Sequence, residues 1–144
     1  MIERDTVKLL RECDAGVKMG VSSIDEVLGS VKSPGMKQKL YQCREEHEKL
    51  GRELQGHLDR FGDRGKDPNP VARGMSWLKT EAMLGLERSD KVIADRMTDG
   101  CNMGVKSLNR YLNEYKAADE VTKDMAKRLI HLEERLSRDL REFL

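Results

Sequence analysis

Residues 19–28 read MGVSSIDEVL and residues 103–112 read MGVKSLNRYL; residues 48–58 read EKLGRELQGHL and residues 134–144 read ERLSRDLREFL. Both pairs keep their order, at offsets of 84 and 86, so the second copy differs only by a longer turn between its halves. Shared leucine spacing is common to any two amphipathic helices. The Met-Gly-Val triplet says more, because glycine inside a helix costs roughly 1 kcal/mol relative to alanine and no helical pattern asks for it. A duplicated helix-turn-helix unit that cannot bury its apolar face alone pairs with its copy. The expectation is an all-α, ferritin-like four-helix bundle forming a single domain over 1–144. Hairpin 1 spans about 2–61 and hairpin 2 about 89–144, joined by a long crossover, 62–88, that contains a short helix.

Composition agrees with this architecture. The chain has 144 residues, enough for a core running the length of four helices, and its 37% charged and 4% aromatic content suits helices with solvated outer faces. Its 27 basic and 26 acidic residues nearly cancel and are interspersed, which gives no electrostatic support to a nucleic-acid or membrane-surface role. MIERDTVKLL at the start carries charges where a signal peptide has an apolar run, so a cytoplasmic location is expected. Cys13, Cys43 and Cys101 are odd in number and far apart, as expected of free thiols packed as small apolar residues.

Helical periodicity places the first helix over about Ile2–Leu28, with Leu10, Cys13, Val17, Gly20, Ile24 and Val27 or Leu28 inward. Ser33 before Pro34 predicts the start of a second helix running to about Phe61, with Met36, Leu40, Cys43, His47, Leu50, Leu54, His57 or Leu58, and Phe61 inward. GDRGKDPNP, residues 62–70, breaks the pattern. Val71 to about Leu86 reads as a short amphipathic helix around Trp77. Ser89 and Asp90 open a third helix carrying Ile93, Met97, Cys101, Gly104 or Val105, Leu108, Tyr111 or Leu112, and Tyr115. A fourth, capped near Asp119, runs to the carboxyl terminus on Met125, Leu129, Leu132, Leu136, Leu140 and Phe143.

The two hairpins, the Gly-Pro-rich connection, MSWLKTEAMLG at 75–85 and SDKVIADRMTDG at 89–100 make the chain similar to a branch of the ferritin-like proteins, the family known as domain of unknown function 2383. The resemblance implies a fold and little about activity. Di-iron members of the ferritin-like group place carboxylates and Glu-x-x-His pairs at mid-bundle. Here Arg44 stands three residues before His47 and Arg128 three before His131, while Val17 and Cys101 occupy the mid-bundle positions of helices one and three. A di-iron site is not expected.

Counting levels along the antiparallel hairpins brings His47, Cys101 and Glu133 into one central layer, with Cys13 and Cys43 within a turn or two. Sulfur, imidazole and carboxylate form a donor set for zinc or iron. The competing reading is a buried histidine hydrogen-bonded to a carboxylate or backbone carbonyl, beside thiols that act as hydrophobes, and no cofactor is expected on that reading. Cys43 and His47 also lie one turn apart, the spacing of an imidazole-activated thiolate, but the sequence offers no third orienting group. Gly16 with Gly20, and Gly100 with Gly104, make small-residue grooves suited to the close approach of a helix or of a bulky side chain such as His47.

The crossover helix, with Met75, Trp77, Met83 and Leu84 beyond its own inward stripe, has more apolar surface than one bundle face covers, as expected of a contact site. The expected function is a non-enzymatic structural or protein-interaction bundle whose partner is a second copy or another protein. The alternative is a metal-binding or redox bundle built on His47, Cys101, Glu133, Cys43 and Cys13.

Overall fold

Ser33, Ser89 and Asp119 start helices by the same means: each has extended backbone, and its side-chain oxygen accepts the N–H three residues on, from Met36, Val92 and Thr122 respectively. The computed structural model describes residues 2–68 and 89–144. Its helices are α1 (Ile2–Leu28), α2 (Pro34–Arg60), α3 (Asp90–Glu114) and α4 (Glu120–Asp139), followed by a 3-10 turn, Arg141–Phe143; the described residues contain no strand. None of these helices is long and apolar enough to cross a membrane. The expectation that α4 continues to the carboxyl terminus is corrected, since the last residues tighten into the 3-10 turn while Leu140 stays fully buried.

The helix directions follow from contacts. Asp25, Gly20 and Val17 on α1 meet Arg44, His47 and Gly51 on α2 in reverse order, so those two run antiparallel. Lys39, Glu46 and Glu53 on α2 meet Asp139, Arg135 and Arg128 on α4 in reverse order, so α2 and α4 are antiparallel as well. Exposed pairs of this kind contribute at most about 1 kcal/mol each; their spacing fixes register more than it adds stability.

Each hairpin's turn is held by the other hairpin's first helix. Asp90 accepts the Lys32 and Ser33 N–H groups at 2.8 and 2.9 Å, and at the opposite end Asp5 accepts the Ala117 N–H at 3.0 Å and Thr6 the Asp119 N–H at 2.8 Å. Four backbone donors of the two turns, which no helix ladder pairs, are thereby satisfied.

Helix α2 ends in a Schellman motif, with Gly62 at φ +63° and the Gly62 and Asp63 N–H groups returning to Asp59 and Leu58. This reversal turns Phe61 outward to 36% exposure, correcting its expected core position. Residues 63–67 then climb along α1: Asp63 pairs with Arg11, Lys66 with Glu12, and Asp67 with Lys18. Asp14, only 4% exposed, accepts the Lys66 N–H at 3.0 Å and the Lys18 ammonium at 2.9 Å. Gly65 sits at φ +85° directly over the Asp14 carboxylate, where a Cβ would overlap it. Gly65→Ala therefore combines a left-handed backbone with displacement of a buried acceptor. We expect a loss of about 2 kcal/mol by urea unfolding.

Among the described residues the interior has two apolar clusters. One gathers Leu9, Leu10, Cys13, Val17, Leu50, Leu54 and Leu129 with their neighbours; the other gathers Ile24, Met36, Leu40, Cys43, Met97, Cys101 and Leu136 with theirs. Between them each helix contributes one small or polar position: Gly20, His47, Gly104 and Glu133.

Candidate functional site

His47 is a polar side chain on the apolar face of α2, 1% exposed. Its Nδ1 lies 2.8 Å from the carbonyl of Cys43 one turn earlier, and 3.4 Å from the Cys43 sulfur. Its Nε2 lies 3.0 Å from Oε1 of Glu133, whose side chain reaches in from α4 and remains 14% exposed. Both ring nitrogens thus face acceptors, and only the imidazolium donates to both at once. Burial is the largest single influence and pulls the imidazolium down; the hydrogen bonds to Cys43 and Glu133, and then their charges, outweigh it and raise the His47 pKa to about 10.

Gly20 makes room for the ring. A Cβ there would lie 2.6 Å from Cδ2 and 2.7 Å from Nε2 of His47, so α1 can pass this layer only with glycine. The expected use of the glycine groove, close approach of His47, is what the geometry shows. Gly104 stands on the other side, where a Cβ would meet Glu133 at an ordinary 3.7 Å. The layer is therefore tight against α1 and looser against α3.

Cys101 is 2% exposed, and its thiol is pushed well up by burial, then by the charge of Glu133 and a hydrogen bond to it, and by Cys43. His47, Cys101, Glu133 and Cys43 are thus brought together as the level counting expected. Cys13 is not. It lies in the other apolar cluster, fully buried, its thiol pushed up to about 12 by burial and then by Glu12 and Asp14. The reason is rise: Gly20 marks the layer on α1, and Cys13 is seven residues below it, about 10 Å along the axis. The contact candidates Met75, Trp77, Met83 and Leu84 lie outside the described residues.

No family model, curated protein or solved structure matches the chain.

What the layer can do chemically follows from how its lone pairs are used. Among the described residues no group of three or more His, Cys, Asp or Glu side chains is arranged to hold a metal ion. The Cys43 sulfur and the Cys43 carbonyl both face Nδ1, while Nε2 faces Glu133 on the opposite edge of the ring. Ligands on two edges of one imidazole do not converge on a single ion. The arrangement is instead a line, Cys43 sulfur to imidazole to Glu133 carboxylate. The third orienting group that sequence alone did not offer is Glu133, 86 residues from His47.

Proposed function

We propose that this chain is a non-enzymatic structural or protein-interaction module: a ferritin-like bundle of two pseudo-repeated hairpins with no di-iron centre, whose interior polar layer locks the hairpins together. The observation that carries this reading is closure of the layer. Both nitrogens of His47 are taken by groups of the fold itself, and Gly20 fills the remaining side with backbone.

Pseudo-repetition is supported by related contacts. Thr6 and Asp90, 84 apart, accept the N–H groups of Asp119 and Ser33, which are 86 apart. Gly20 and Gly104 flank His47 and Glu133 at the same two offsets. In addition, α1 and α4 run in the same direction, with Thr6 at Asp119 and Gly16 at Leu129. That leaves α2 and α3 parallel, the geometry a long crossover serves.

The proposed partner surface is the Trp77 segment and the proposed partner a second copy. Trp77→Ala is expected to yield a species of about half the mass by light scattering, with unchanged helical circular dichroism. An unaltered mass would count against self-association through this segment. The second reading, a zinc- or iron-binding bundle, draws only on the nearness of Glu133 to both His47 and Cys101 and requires Nε2 to give up its hydrogen bond to the carboxylate.

A further inference from the structure

Three buried cysteines share one chain, and their surroundings differ. Cys13 is fully enclosed and Cys101 is 2% exposed, whereas Cys43 keeps 7% of its surface and lines a crevice between α2 and α4 of about 10 Å³, water-sized. The rim of that crevice carries Lys39, Glu46, Arg135 and Asp139, held as the exposed pairs Lys39–Asp139 at 4.0 Å and Arg135–Glu46 at 3.3 Å. On its inner side the Cys43 sulfur meets Nδ1 of His47 at 3.4 Å, and the far nitrogen of that ring is bound to Glu133 at 3.0 Å.

We propose that Cys43 is a modification site, a thiol made reactive toward small hydroperoxides by the Cys43–His47–Glu133 relay and reached through the α2–α4 crevice. A nucleophilic sulfur needs a neighbouring cation and a third group that orients it, and the relay supplies both. Glu133 plays the orienting part and never touches the sulfur's reactant, so it is a positioning residue. The other two cysteines lack this arrangement, and burial holds both as neutral thiols.

The step balances with one co-reactant. The Cys43 thiol gives its proton to solvent, since both nitrogens of His47 already carry protons, and the thiolate attacks one oxygen of the hydroperoxide, forming a sulfur–oxygen bond as the oxygen–oxygen bond breaks. The distal oxygen leaves with the electron pair and takes a proton from solvent, becoming water when the oxidant is hydrogen peroxide. Sulfur is oxidised by two electrons to the sulfenic acid, and the peroxide is reduced by two. A crevice this narrow favours the smallest hydroperoxide over bulkier ones.

The test treats the full-length protein with hydrogen peroxide in the presence of a sulfenic-acid trap and maps adducts by peptide mass spectrometry. Cys43 should react at least about tenfold faster than Cys13 or Cys101, and Glu133→Gln, which keeps a hydrogen-bond acceptor but removes the charge, should slow Cys43 by about tenfold. Equal rates at the three cysteines would overturn the proposal. So would an unchanged Cys43 rate in a helical Glu133→Gln protein, which would reduce the effect to exposure alone. Should that variant fail to fold, the pH profile of the wild-type Cys43 rate decides: a rate that stays level as pH falls from about 8 to 6 supports the relay, while one that falls in step with the loss of ordinary thiolate reports exposure alone and overturns it.

Discussion

Gly20→Ala destabilises the protein by about 2–4 kcal/mol, although alanine is the better helix former by about 1 kcal/mol. The new methyl carbon would sit 2.6 Å from the His47 ring, and the ring has nowhere to retreat without breaking its bonds to the Cys43 carbonyl and Glu133. The loss therefore combines overpacking with an unpaired buried polar group. Gly104→Ala, the same change at the related position, meets only ordinary contacts at 3.7 Å and is expected to be neutral or stabilising by up to about 1 kcal/mol. Urea unfolding of both variants checks the contrast, and equal effects would mean that the ring does not rest on Gly20.

Glu133→Ala costs about 3 kcal/mol near pH 7, because removing one partner of a buried pair leaves the other charge uncompensated. The pH dependence has a definite sign. His47 binds its proton more tightly folded than unfolded, with its value raised from 6.5 to about 10. Its contribution is thus whole below pH 6.5 and is lost as pH rises through about 10, so wild-type stability falls across that window. Without Glu133 the imidazolium loses one of the interactions that raise it. The fall is then smaller and complete at a lower pH. Unfolding free energies measured between pH 6 and 10 on both proteins check this, and parallel curves would contradict the assignment of the proton to the pair.

The helix boundaries were legible because local chemistry sets them. Ser33 before Pro34, Ser89 before Asp90, and Asp119 are capping residues in any context, and the structure starts helices at each. The interior layer was legible too, since His47 and Glu133 stand level once the hairpin turns are located. Phe61 was misplaced because a glycine just beyond a helix end redirects the chain, and apolar periodicity does not register that turn. The strap from Asp63 to Asp67 could not be read at all. Asp14 appears in sequence as one more surface acid paired with Lys18 a turn on, and its partner in the strap is a backbone N–H, which leaves no residue signature. What spacing alone left open is which way Glu133 turns on its helix, and the structure turns it inward onto Nε2 of His47.

The protonation of the His47 ring tests the account most directly. In a long-range proton–nitrogen correlation spectrum of labelled protein, both His47 nitrogens should carry protons from pH 6 to 9, and the pattern should persist when one equivalent of zinc is added. A neutral ring with a bare Nε2 at pH 8, or loss of the Nε2 proton on adding zinc, would contradict the closed layer and transfer the site to the metal-binding reading.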